Sequence, residues 1–372
     1  MNRQIARVRA PDRLTGSVVA IFIVLAALAW SDASMAQTAF VANTGSSTVS
    51  VINTVTNTVV ATVPVGPSPF GMAVSPNGSR AYVANRGSNT VSVIDALTNA
   101  VVATITVGTN PRSLAVSPDG ARLYVANQGA NTVTVINTAS NATVATVAVG
   151  DSPGGIDVSP NGAKVYVANL FGDSVSVIDT ATNTVIGTMA VGAAPVSVAF
   201  SPDGARAYVA SQDVNTVSVI NSATNTVSAT IVFPAASQVS GLAVSPDGSR
   251  LYVTRAGAST LAVVDTTTNT VVASVSVGSV PFGVAVTPDG SRVYVSNYTS
   301  SNASVVNTGT NTVVATIAVG TNPFNLGKFI GPAVAPAGPA PVPTLSQWAM
   351  ILFGTILAGG AALYIQRRRQ SI

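Results

Sequence analysis

A Ser-Pro-Asp/Asn-Gly tetrapeptide, with Thr287 in place of Ser in its last copy, returns six times, its proline at 76, 118, 160, 202, 246 and 288. The chain therefore repeats itself every 42 residues, with one interval of 44. Six residues after each proline stands a tyrosine: Tyr82, Tyr124, Tyr166, Tyr208, Tyr252 and Tyr294. One period upstream of Tyr82 lies Phe40, the mark of a seventh copy that lacks its leading segment. An aromatic at one site per copy is what a stacked core layer requires. A period of this length means supersecondary units that bury their faces only against one another.

Each unit contains four short runs rich in Val, Ile, Thr and Tyr, separated by Pro-Asp-Gly, Asn-x-Gly and Thr-x-Thr-Asn clusters. Such runs bounded by turn residues read as antiparallel strands. Four strands in about 40–45 residues, seven times over, predict an all-β, seven-bladed β-propeller of four-stranded antiparallel blades. In the first hairpin proline presets φ, Asp or Asn closes the turn through its side chain, and glycine takes positive φ. The copy at Phe40 has three strands, and the last copy is followed by an orphan, Asn322 to Ile330. Pairing the orphan with Phe40–Ala42 closes the ring from both chain ends and hides two edges. Loss of Thr321–Ile330 is then expected to destabilise the ring and promote association.

Composition removes whole reaction classes. The chain has no Cys, no His and no Glu, so thiolate, imidazole and disulfide chemistry are excluded, as is a Cys/His zinc cage. The net charge of +4 is carried by the ends, Arg3, Arg7, Arg9 and Arg13 at one and Arg367, Arg368 and Arg369 at the other. Between Gln37 and Pro343, 10 Lys/Arg face 11 Asp, which leaves no basic face for nucleic acid.

The ends read as addresses. Residues 1–36 combine basic residues, an apolar run from Val18 to Trp30 and Ser34-Met35-Ala36, which predicts a cleaved signal peptide with the cut between Ala36 and Gln37. The propeller is expected over 37–330, and a Pro/Ala/Gly-rich spacer over 331–343. An uncharged run over 348–365, followed by the arginines at 367–369, predicts a helix in the inner membrane with the arginines cytoplasmic.

Val342-Pro343-Thr344-Leu345-Ser346-Gln347-Trp348, followed by that apolar run and arginine cluster, resembles the IPTL-CTERM sorting signal of Gram-negative bacteria. The resemblance implies an exosortase-type sorting peptidase as partner and delivery over 342–372 to the cell envelope, cell surface or exterior; a plain membrane anchor is the alternative. Tyr82-Val-Ala-Asn85, Tyr124-Val-Ala-Asn127 and Tyr166-Val-Ala-Asn169, with Asn-Thr-Val-Ser-Val-Ile-Asp following, resemble the YVTN β-propeller repeats of exported prokaryotic proteins. That resemblance implies an extracytoplasmic propeller and no single reaction.

Comparing copies separates scaffold from ornament. Asp119, Asp203, Asp247 and Asp289 exchange with Asn77 and Asn161, and Asp95, Asp179 and Asp265 with Asn53, Asn137, Asn221 and Asn307. Free exchange of Asp for Asn fits turn capping and does not fit a base or a metal ligand. The cation after the first turn (Arg80, Arg122, Lys164, Arg206, Arg250, Arg292) is expected to lay its stem on a strand and keep its charge in water. With strands a to d running outward, the d–a and b–c loops share one face. That face gathers Phe70, Arg86, Arg112, Gln128, Asp151, Phe171, Asp173, Gln212, Asp213, Arg255, Phe282, Tyr298 and Phe324, the candidate ligand face. Charged loop tips are also ordinary solvated surface. The fifth d–a loop, Phe233–Ser240, is two residues longer, and reads as a tolerated insertion. The expected function is a non-enzymatic binding or structural interaction module for an unknown surface ligand, with no cofactor and no metal. The alternatives are a metal-dependent hydrolase or lactonase using Asp151, Asp157 or Asp173, and a self-assembling surface coat.

Overall fold

A computed structural model describes residues 37–332, and every regular element among them is a β-strand. Seven four-stranded sheets form the ring. Blade one takes Pro69–Val74, Arg80–Asn85, Thr90–Asp95 and Ala100–Thr106 as its strands a to d. Blade two takes Pro111–Val116, Arg122–Asn127, Thr132–Asn137 and Thr143–Ala148, and blades three to six repeat the pattern from Pro153, Pro195, Val239 and Pro281. Blade seven is assembled from both ends, in the order Ile330–Gly331, Thr38–Asn43, Thr48–Asn53, Thr58–Pro64. The signal segment 1–36, the sorting motif 342–348, the expected span 348–365 and the arginines 367–369 lie outside the described residues. Among the described residues no helix is long and apolar enough to cross a membrane.

The turn chemistry explains why the strands begin and end where they do. Gly78 sits at φ 73°, and Asn77 Oδ1 accepts from the Ser79 amide at 3.0 Å. In the fourth blade Asp203 Oδ1 accepts from the Ala205 amide at the same 3.0 Å. At the c–d turns Asn53 Oδ1 caps the Val55 and Thr56 amides, as Asp95 Oδ1 caps those of Leu97 and Thr98. Asp and Asn are interchangeable here because only the accepting oxygen is used.

The core lies between blades. Tyr82 and the inward residues of blade one pack on Leu114, Leu123, Val125 and Ile136 of blade two. Blade seven packs on blade one through Met72 and Val83 and on blade six through Tyr294 and Val305. Inner strands crowd so closely that a Cβ on Gly71 would lie 2.4 Å from the Arg112 carbonyl oxygen. The recurring cation behaves differently from the expectation at three positions. Lys164 Nζ donates to the Ser222 carbonyl (2.8 Å), Arg292 Nη1 to the Thr54 carbonyl (2.6 Å), and Arg206 Nη1 to the Thr266 carbonyl, each on the next blade. Arg80 and Arg250 instead pair with Asp95 and Asp265 of their own blades. These heads are tied to protein oxygens rather than left in water, because c–d turns bring carbonyls of the next blade or a carboxylate of the same blade within reach.

The closing segment pairs as the missing strand, with one irregularity. Phe329 O accepts from Phe40 N–H at 2.9 Å, and Ala42 O from Phe324 N–H at 2.9 Å. Between them the backbone ladder is interrupted, and the side chain of Asn325 replaces it. Its Oδ1 accepts from Ala42 N–H (2.7 Å), and its Nδ2 donates to Phe40 O (3.1 Å). The same segment reaches blade one, where the Met72 and Val74 amides donate to the Leu326 and Lys328 carbonyls.

Candidate functional site

The repeat interval places one residue of each inner strand at the same height around the axis. At the second position of strand a these are Phe70, Arg112, Gly154, Val196, Ser240 and Phe282, and Phe324 holds the equivalent place in the closing segment. This is a ring at the tunnel mouth on the d–a and b–c face. Three of its aromatic members are consecutive around the circle, from blades six, seven and one. Phe324 stacks on Phe70 with centroids 3.7 Å apart, and lies 4.4 Å from Phe282. Tyr298, from the b–c loop of blade six, meets Phe282 and Phe324 edge-on at 5.7 and 6.3 Å. Arg86 and Arg112 hold their guanidinium carbons 5.5 and 5.6 Å from the Phe70 ring centre, within cation–π range.

Six of the thirteen candidates thus converge: Phe70, Arg86, Arg112, Phe282, Tyr298 and Phe324. The other seven stand in loops or, for Arg255, at a strand end of blades two to five and take no part in these aromatic and cation–π contacts. Gln128 is spent on the Ser152 hydroxyl, its Nε2 donating at 3.0 Å. Phe171 is 73% exposed, and Asp151 and Asp213 are exposed. Gln212 is half-buried. Asp173 caps a turn: at φ 47° its Oδ1 accepts from the Ala194 amide at 2.9 Å. Asn131, one period earlier, does the same for Ser152. Arg255 ends the strand Arg250–Arg255 and reaches the long fifth loop, where its Nε donates to Ser237 Oγ at 3.2 Å. In most other blades this position is a fully buried Asn under a glycine; a Cβ on Gly66 would come within 2.7 Å of the Asn85 amide. The glycine and the asparagine are lost together in blade five, so the insertion accommodates Arg255. Both departures fall in one copy, which is the signal sequence reasoning overlooked.

A cavity of about 470 Å³ occupies the tunnel on the a–b side, lined by the six turn prolines and the lower inner-strand residues. Its walls are mainly Ala and Val, but one ring of alanines is broken by Asp157 and Gly327, and one ring of valines by Phe200 and Lys328. Asp157 and Lys328 belong to blades three and seven, and form an ion pair of 3.2 Å across the tunnel. Asp157 Oδ1 also accepts from its neighbour Val158, and Oδ2 from the Phe200 amide. Lys328 was missed from the sequence, although subtracting 42 lands on Val286 and exposes the oddity. Among the described residues no three of His, Cys, Asp or Glu come close enough to hold a metal ion. Asp151, Asp157 and Asp173 are not gathered at one point, so they do not fit the cation that the hydrolase alternative needs.

Comparison with known proteins adds the following. The sequence model of the IPTL-CTERM motif matches residues 340–369, which marks the chain as an exported propeller with a C-terminal sorting signal. The Choice-of-anchor I domain matches residues 89–242. No curated protein matches the chain. Among solved structures, hydrazine synthase of Kuenenia stuttgartiensis is similar, with 23% identity and a TM-score of 0.64 over 70% of this chain and 89% of that one. A functionally unknown protein from Desulfotomaculum acetoxidans is similar at 18% identity and a TM-score of 0.66, over 78% of this chain and 99% of that one. These likenesses show the fold. The model described as Lactonase, 7-bladed beta-propeller matches residues 33–143 and 222–317, more than half of the 372 residues, and the chain belongs to that family.

Proposed function

We propose that this exported propeller is a binding module that engages a surface partner through the mouth formed by its d–a and b–c loops. The observation that carries the reading is the meeting of Phe70, Phe282, Phe324, Tyr298, Arg86 and Arg112 from four blades at one point. Aromatic residues and arginine are the types that dominate recognition surfaces. In this reading the C-terminal signal is handled by an exosortase-type peptidase, with the segment 348–365 seated in the inner membrane before delivery to the envelope.

The test is attachment of labelled protein to intact cells of the exporting organism. The double variant Arg86→Ser, Tyr298→Ser is expected to lose at least about fivefold of the bound signal. Ala121→Lys with Ala205→Lys, exposed on the opposite face, retains it. Equal loss in both pairs, or no attachment by the parent, overturns the proposal.

The family match favours a second, hydrolytic reading. In it the tunnel cavity receives a lactone, and Asp157, held by Lys328, acts as the base. Lactone turnover that disappears in Asp157→Asn is the result that selects it.

A further inference from the structure

We infer that Arg112 is the anchor of a site for a carboxylate borne on a sugar ring, a uronate, an inference that rests on the mouth being the binding face. Arg112 is the one cation in the ring of seven at the mouth. Its Nε is fully enclosed and has no hydrogen-bond partner. No ion pair to it is formed among the described residues. The side chain as a whole is half-buried, so the outer end of the guanidinium is the part that faces the opening. Enclosure, and then the nearby charge of Arg86, push its pKa down to about 10. It remains a cation at neutral pH, held in a poorly solvated place with a second cation beside it.

A charge removed from water without a counter-ion is costly. An anion seated between the two guanidiniums removes that cost, and the planar fork of arginine matches a carboxylate through two parallel hydrogen bonds. The surroundings narrow the anion further. Next to Arg112 in the ring stands Gly154, and the Cβ it lacks would lie 3.7 Å from Nε, in van der Waals contact, so a larger side chain there would press on the guanidinium. On the other side the half-buried Phe70 and Phe282, held on either side of the buried Phe324, offer apolar surface for the C–H face of a sugar ring. The half-buried Tyr298 at the edge of that surface carries a hydroxyl for a sugar hydroxyl. Mostly apolar walls with a few fixed polar groups are the general form of a small-ligand site. The cavity on the a–b side also has apolar walls and two charged groups, but its lysine is already neutralised by Asp157 and offers no unpaired cation.

The experiment is calorimetric titration of the full exported protein with trigalacturonate, with maltotriose and inorganic phosphate in parallel. The expected result is saturable trigalacturonate binding that weakens in 0.5 M salt, on the order of the screening that shortens the Debye length to a few ångströms. Maltotriose does not bind, and phosphate binds at least about tenfold more weakly. Arg112→Gln loses at least about tenfold in affinity, and Arg112→Lys falls between. Gly154→Val, which presses on the guanidinium, loses binding with the arginine intact, and decides the matter if Arg112→Gln does not fold. Undiminished affinity in folded Arg112→Gln or Gly154→Val overturns the inference. So does phosphate binding as tightly as trigalacturonate, or trigalacturonate failing to bind the folded parent. If trigalacturonate fails while Arg86→Ser, Tyr298→Ser still abolishes attachment to cells, the ligand class is wrong and the binding face stands. If cell attachment is also indifferent to that pair, the face itself falls.

Discussion

Aspartate and asparagine trade places at two turn positions, but only aspartate brings a titration with it. The Asp247 carboxylate, receiving the Ser245 hydroxyl first and then the Ser249 amide and hydroxyl, is held down at about 2. Asp95 and Asp179 are also lowered, chiefly by the backbone amides of Thr98 and Thr182. A carboxyl lowered on folding stabilises the native state above its unfolded pKa and loses that contribution as pH falls toward the folded value. Burial raises the six repeat tyrosines, Tyr166 to about 12. A raised tyrosine stabilises below its unfolded pKa and loses that contribution as pH rises toward the folded value. With no His, Cys or Glu in the chain, the urea midpoint is expected to stay flat between about pH 5 and about pH 9 and to decline below about pH 4 and above about pH 10. A step between about pH 6 and about pH 8 contradicts this assignment of the titrating groups. At this scale the exchange of Asp for Asn was legible because seven copies sample the same geometry. Asp173 was not sorted with the caps, although Asn131 stands one period before it and makes the same bond.

The element that decides the fold is the weakest strand by pattern. Pro323-Phe324-Asn325-Leu326-Gly327-Lys328 keeps the register of the other inner strands, which is why a missing fourth strand could be assigned to it. Its pairing was legible; the means of pairing was not. Where other copies carry Gly or Ser, Asn325 supplies a side-chain amide that takes over one rung of the ladder. No periodicity encodes that, because the amide serves one chain junction and occurs once. Asn325→Ala leaves Ala42 N–H and Phe40 O buried without partners, at about 1–3 kcal/mol each. Equilibrium urea unfolding is therefore expected to show a loss of roughly 2–5 kcal/mol. A loss under about 0.5 kcal/mol, the range of an ordinary surface change, contradicts the role given to the amide. The long fifth loop belongs at this scale as well. Its extra residues make room for Arg255, so restoring the shorter loop requires restoring asparagine at 255.

For the whole molecule, the closing junction and the binding mouth are one construction. Phe324 arrives on the segment that seals blade seven, and it completes an aromatic wall whose other members come from blades one and six. Lys328, four residues later, crosses the tunnel to Asp157 in blade three. The ring of residues at the mouth could be counted from the 42-residue interval. Which of them touch depends on how far inner strands lean toward the axis, and that is a property of seven packed sheets rather than of one repeat. The mouth and the tunnel ion pair both require that Thr321–Ile330 close the circle. That segment buries Phe324, Leu326, Phe329 and Ile330. At about 1.5–3 kcal/mol for each large apolar side chain, their combined burial rivals the 5–15 kcal/mol stability of a typical domain. The direct measurement is the melting temperature and light-scattering mass of the chain with Thr321–Ile330 deleted, beside the parent. The account predicts a sharply lower melting temperature and mass growing with concentration, as the uncovered edge of Thr38–Asn43 pairs with other copies. A monodisperse monomer that melts with the parent contradicts it.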